Sequence, residues 1–163
     1  MRKIENLQID KRMQLAEQGR DQDLDALVND KSWVVRSEVA RHGRNKDLDI
    51  LVNDKDWAVR CEVAEQGRDK DLDILVNDKD SGVRHTVARY GRDKDLDVLV
   101  NDEDVIVLAG LILHRRAKDI EKLKTRIKNG EFNDLHEREK IILDNIKDII
   151  KKYENMYNKG EIE

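Results

Sequence analysis

An all-α fold is what the sequence predicts, and within that class a right-handed α-solenoid of about four and a half 24-residue two-helix repeats with a C-terminal helical cap. Three observations predict it. The chain repeats itself at a fixed period, since "DKSWVVRSEVARHGRNKDLDILVND", "DKDWAVRCEVAEQGRDKDLDILVND" and "DKDSGVRHTVARYGRDKDLDVLVND" follow one another 24 residues apart. Each copy alternates a segment of helical apolar spacing, ended by glycine, with a short leucine-rich segment. Proline is absent from all 163 residues, so no rigid breaker interrupts the pattern.

The columns run in register. Gly19, Gly43, Gly67 and Gly91 align, as do Arg12, Arg36, Arg60 and Arg84, then Leu15, Val39, Val63 and Val87, then Ala16, Ala40, Ala64 and Ala88. Leu24, Leu48, Leu72 and Leu96 recur with Leu27, Leu51, Leu75 and Leu99 three residues on. Within one copy, Asp56 is the expected N-cap of a first helix, "WAVRCEVAEQ", whose stop is Gly67 in the left-handed region. Asp69 is the expected cap of a shorter second helix, "KDLDILV", with Leu72, Leu75 and Val76 on one face and acids crowding its first turn. Neither helix covers its own apolar stripe, so neighbouring copies must supply each other's interior.

The pattern D-x-x-x-x-V-R-x-x-V-A, carried by Asp54 through Ala64 and followed by a leucine-rich element, resembles HEAT-like repeats, and the 24-residue length is similar to their leucine-rich variant subtype. The resemblance covers roughly residues 10–117. It implies a partner-binding scaffold, with nucleic-acid enzymes among its relatives. Some leucine-rich variant proteins carry an iron-sulfur module built on clustered cysteines, which Cys61 alone does not provide.

Composition narrows the function further. Charged residues make up 42% of the chain, 32 Lys plus Arg against 36 Asp plus Glu for a net charge of -4, so nucleic acid is not the expected partner. A single cysteine excludes a disulfide framework and fits a cytoplasmic protein without a metal or other cofactor. "VIVLAGLILH", the longest apolar run, is far too short to span a membrane. Asp69, Asp71 and Asp73, with Asp80 at the twelfth place, echo the acid spacing of a calcium loop. Ile74 stands where that loop needs glycine, and Leu72 and Leu75 belong to the core, so no metal site is expected.

Asp30, Asp54 and Asp78 each precede an arginine by six residues, at Arg36, Arg60 and Arg84, which predicts a structural ladder of ion pairs. Trp33 and Trp57 share one repeat position and read either as lids on the adjacent copy or as aromatic anchors for a partner. A helical wheel puts Ala58, Cys61 and Glu65 furthest from the core. The matching places, Val34, Ser37 and Arg41, then Gly82, His85 and Arg89, vary from copy to copy as a binding face does. With His42 and Tyr90 at the helix ends, the candidate partner-binding residues are Trp33, Ser37, Arg41, His42, Trp57, Cys61, Glu65, His85, Arg89 and Tyr90. His85 has no recurring nucleophile or acid beside it, so no catalytic residue is assigned.

The repeat domain is placed at 1–117 and a helical cap or dimerisation hairpin at 118–163. In the last copy Leu108 replaces the arginine and Ile106, Ala109 and Leu113 turn outward, which calls for a cover. Ile120 and Leu123 continue the second-helix register, and Ile142, Ile146, Ile149, Tyr153 and Met156 form a seam, widened by Ile141, Leu143, Ile150 and Tyr157. That seam serves either self-capping or a homodimer. The expected function is a non-enzymatic protein-protein interaction scaffold. The alternatives are a nucleic-acid-binding HEAT-like protein and a small mobile-element inhibitor that occludes a host nucleic-acid-processing protein with its acidic edge.

Overall fold

The 24-residue period becomes pairs of helices. The computed structural model describes residues 4–162, and no strand occurs among them. A short 3₁₀ turn at Ile4–Asn6 leads into α1 (Ile9–Glu17) and α2 (Asp21–Leu27), then α3 (Trp33–Arg41) and α4 (Asn45–Leu51), then α5 (Trp57–Glu65) and α6 (Asp69–Leu75). These are followed by α7 (Ser81–Tyr90), α8 (Asp93–Leu99), α9 (Val105–Leu111), α10 (Ala117–Lys128) and α11 (Glu137–Asn158). The chain divides into two compact units, Met1–Val83 and Arg84–Glu163, so the division falls inside α7 rather than at residue 117.

Local chemistry sets the helix ends. Gly19, Gly43 and Gly67 stop α1, α3 and α5 with φ of 65°, 68° and 68°, a region open to glycine without steric cost. The Asp56 side chain accepts from Ala58 N at 3.0 Å and caps α5. Asp69 does not cap α6. The cap position belongs to Arg68, whose backbone is extended, while Asp69 is the first helical residue. The Arg68 side chain instead bridges forward, Nε to Asp71 Oδ2 at 2.6 Å and Nη2 to Oδ1 at 2.8 Å. Asp71 is 1% exposed, so the acid the sequence reads as first-turn decoration is a core residue, and its carboxylate is not free for a metal.

In the first unit α1 packs on α3 and α3 on α5, with α2, α4 and α6 each packed on the helix before it. The apolar columns of both units lie in the core, with Ala16, Val39, Val63, Leu24, Leu48 and Leu72 buried in the first and Val87, Ala88, Leu96 and Leu99 in the second. Each fully buried leucine of this kind contributes about 1.5–3 kcal/mol.

The arginine column is buried with the leucines. Arg36 donates from Nε to Asp54 Oδ2 at 2.6 Å and from Nη2 to Oδ1 at 2.7 Å, and Arg60 makes the same fork to Asp78 at 2.6 and 2.8 Å. Arg12 pairs with Asp30 likewise, and in the second unit Arg84 pairs with Asp102. The partner is therefore the acid 18 residues ahead. The acid six residues behind contributes its backbone instead, since Nη1 of Arg36 and of Arg60 donates to the carbonyl of Asp30 and of Asp54, each at 2.7 Å. Each carboxylate also accepts an N–H two residues on, from Ser32, Asp56 and Asp80 in turn.

In the second unit α8 and α11 both pack on α9. Leu108, in the arginine column, is buried, as are Ile120 and Leu123 of α10, while Leu113 is exposed. The seam of α11 is rotated from the expected one. Leu143, Ile146 and Ile150 are its buried residues, Ile142, Ile149, Tyr153 and Met156 are half-buried, and Ile141 and Tyr157 face solvent. One residue of register turns a helix by about 100°, so a stripe this wide admits either line.

The rung has measurable consequences. Arg60 and Asp78 are 6% and 8% exposed at their side chains. Arg60→Ala strands a buried carboxylate and is expected to cost about 3–5 kcal/mol in urea unfolding; an unchanged midpoint would remove the rung from the fold's support. Burial alone would raise the Asp54 and Asp78 carboxyls, but the guanidinium of Arg36 or Arg60 and the N–H of Asp56 or Asp80 outweigh it and hold both below the ordinary carboxylate value. A depressed folded value means stability that is fully present above the unfolded value and is lost as pH falls through the folded one. Unfolding midpoints should therefore be flat near neutrality and fall below about pH 4, and Asp78→Asn should lower the plateau and shrink the acid-dependent drop.

Candidate functional site

Residues opening the first helices of the first unit stand out against this buried frame. Ile9, Trp33 and Trp57 occupy the same helical position in α1, α3 and α5, and they are 44%, 47% and 54% exposed. Large apolar side chains in solvent at a repeated position are unusual in a chain that buries its other first-helix apolar columns. The Trp57 ring is part lid and part surface. A Cβ built on Gly82 would lie 3.5 Å from two atoms of its six-membered ring, so the indole leans over the start of α7 and leaves the rest of its surface open.

A second column runs beside the first. Lys31 and Lys55 stand two residues before Trp33 and Trp57, and Lys79 two before Ser81; all three are exposed. Among the described residues of this unit, Arg12, Arg20, Arg36, Arg41, Arg44, Lys46, Arg60, Arg68 and Lys70 all form ion pairs, whereas Lys31, Lys55 and Lys79 form none. Two shallow grooves follow the same edge. One is lined by Leu7, Gln8, Ile9, Lys31 and Ser32, the next by Lys31, Ile50, Asn53 and Lys55, so Lys31 is the post between them.

The expected outward column does not form the outermost face. Ser37 is buried and Val34, Ala58 and Cys61 are half-buried, because α3 is flanked by first helices on both sides and the wheel assumed one core side. Arg41 and Glu65 are exposed, and Arg41 is bound to Glu38 and Glu62, each at 2.7 Å. His42 is structural, its Nε2 donating to the Ala16 carbonyl at 2.8 Å. In the second unit, His85 donates from Nδ1 to the Ile106 carbonyl at 2.6 Å. Arg89 lies over the exposed Tyr90 ring, 5.2 Å from its centroid.

Sequence reading missed both the lysine column and a second ladder. Arg20, Arg44, Arg68, Arg92 and Arg116 each bind the acid three residues on, and Arg44 also reaches back to Asp21 and Asp25, as Arg116 does to Asp93 and Asp97. Burial would lower the Arg44 and Arg116 values, but these carboxylates outweigh it and raise them. The recurring R-x-x-D-L is the signal that marks this ladder. Trp57→Ala removes a half-buried ring and is expected to cost on the order of 1–2 kcal/mol, with the helical circular-dichroism signal retained; a loss as large as that of Arg60→Ala would make the ring core rather than surface. Comparison with protein-family models, with curated proteins and with solved structures finds no match for the chain.

Proposed function

We propose that the chain is a non-enzymatic interaction scaffold: HEAT-like, leucine-rich-variant repeats stacked as an α-solenoid, closed by α10 and α11, and docking a protein partner along the edge that carries Ile9, Trp33 and Trp57. The observation that carries this reading is the pair of half-exposed indoles at one repeat position, because binding hot spots concentrate in aromatic side chains set on a preformed surface. A rigid helical edge also loses little conformational freedom on association. The groups with shifted ionisation belong largely to the two ladders, where each is tied to a fixed partner, rather than to a cleft holding an acid and a base. A cytoplasmic setting suits the free Cys61. No helix among the described residues is long and apolar enough to cross a membrane.

Photo-crosslinking residues placed at 33, 57 and, as a control, the exposed Ile141 on α11 test the proposal in native lysate. The expected result is one protein captured from both 33 and 57 but not from 141. Crosslinks that are the same from all three positions, or that join nucleic acid instead, would overturn it.

A further inference from the structure

The edge described above carries more information than an apolar ridge does, because its charge and its spacing both constrain what fits. Lys31, Lys55 and Lys79 are cations without an ion-pair partner, set one per repeat, in a unit whose other cations are almost all neutralised. Their nearest acids are already committed, Asp30 to Arg12, Asp54 to Arg36 and Asp78 to Arg60. An indole follows the first two lysines by two residues, and the grooves run from Ile9 to Lys31 and from Lys31 to Lys55. The edge therefore presents, in alternation, a positive post and an apolar surface.

The pitch of the posts selects the ligand. Packed helices lie about 8–10 Å apart, which sets the step from one repeat to the next. A polyproline II helix turns once every three residues and rises about 3.1 Å per residue, so residues i, i+3 and i+6 fall on one side about 9.3 Å apart. A β-strand places i and i+3 on opposite faces and cannot match one post per repeat with a three-residue period. A nucleic-acid strand brings one phosphate per roughly 3.4 Å, about three for each lysine, into a chain whose net charge is -4.

Resting on the reading of the chain as an interaction module, we propose that this edge binds a proline-rich polyproline II segment with an acidic residue at every third position, its carboxylates on Lys31, Lys55 and Lys79 and its pyrrolidine rings against Trp33 and Trp57. The occupant is not a second copy of this sequence, which contains no proline. Polyproline II segments dock on aromatic-lined surfaces at low entropic cost because they are already ordered.

Trp33 and Trp57 are the only two tryptophans, so indole emission reports this edge directly. The full chain is titrated with (Pro-Pro-Glu)5, (Pro-Pro-Lys)5, the flexible isocharged (Gly-Ser-Glu)5 and a deoxythymidine oligonucleotide, with calorimetry in parallel. Saturable binding of (Pro-Pro-Glu)5 is expected, at least tenfold tighter than (Gly-Ser-Glu)5, with no binding of (Pro-Pro-Lys)5. Lys31→Glu/Lys55→Glu, which alters only exposed side chains, should weaken (Pro-Pro-Glu)5 at least tenfold and bind (Pro-Pro-Lys)5. Absence of saturation, equal affinity for the flexible peptide, indifference to the lysine reversal, or tighter lysine-dependent binding of the oligonucleotide would each overturn the proposal. Capture from positions 33 and 57 of a protein lacking such a segment would sink this inference and leave the interaction reading standing.

Discussion

The fork between an arginine in each first helix and the aspartate 18 residues ahead is the constraint on which the repeat depends. One guanidinium touches three pieces of chain. Nη1 of Arg36 holds the carbonyl of Asp30 in the turn before its helix, while Nε and Nη2 hold the carboxylate of Asp54 in the turn after the next one. Asp54 in turn gives its own carbonyl to Arg60, so consecutive rungs share a residue and cannot shift independently. Taking these charges out of water is expensive, and a buried pair is a weak source of net stability against an apolar replacement. What the fork supplies is register, because its bidentate geometry accepts one spacing of helix and turn.

The second ladder does for the short helices what the first does for the long ones. Arg44 binds Asp47 within its own helix start and Asp21 and Asp25 one repeat back, while Arg68 binds Asp71 and reaches Asn45 and Asp49. Between them the two ladders consume much of the charge that makes the composition look like a solvated surface. This is why the leftover lysines matter. A free cation in an ordinary charged surface says little, but a column of free cations in a chain that pairs nearly all the others marks the edge where the internal accounting stops.

The period, the glycine stops and the leucine columns were legible in the sequence because each is a statement about one residue type at one position. Partnership was not. In a chain of period 24, an acid six residues behind an arginine and an acid 18 residues ahead lie in the same column one copy apart, so Arg60 with Asp54 and Arg60 with Asp78 are the same pattern on paper. Only three-dimensional placement separates the carbonyl of the first from the carboxylate of the second. Ser37 shows a related blindness, since a helical wheel assumes one buried side while α3 has neighbours on both. Lys31 and Lys55 stay invisible for the same reason, because adjacent aspartates look available until the fork assigns them.

The end of the array shows what the rung requires when it is dismantled. Leu108 takes the arginine position and is buried, and burying an apolar side chain there avoids the desolvation of a guanidinium. That leaves the carbonyl of Asp102 without the donor its counterparts receive from Arg36 and Arg60. Arg126, on α10, supplies it: Nη1 donates to the carbonyls of Val100 and Asp102 at 2.8 and 3.0 Å, with Nε on Glu131 at 2.7 Å and the guanidinium 4.9 Å from the buried Phe132 ring. In place of the acid expected one period after Asp102, the sequence puts a base. The last copy thus keeps the backbone half of the rung, discards the carboxylate half, and turns the vacated position into apolar surface on α9, the helix against which α11 packs.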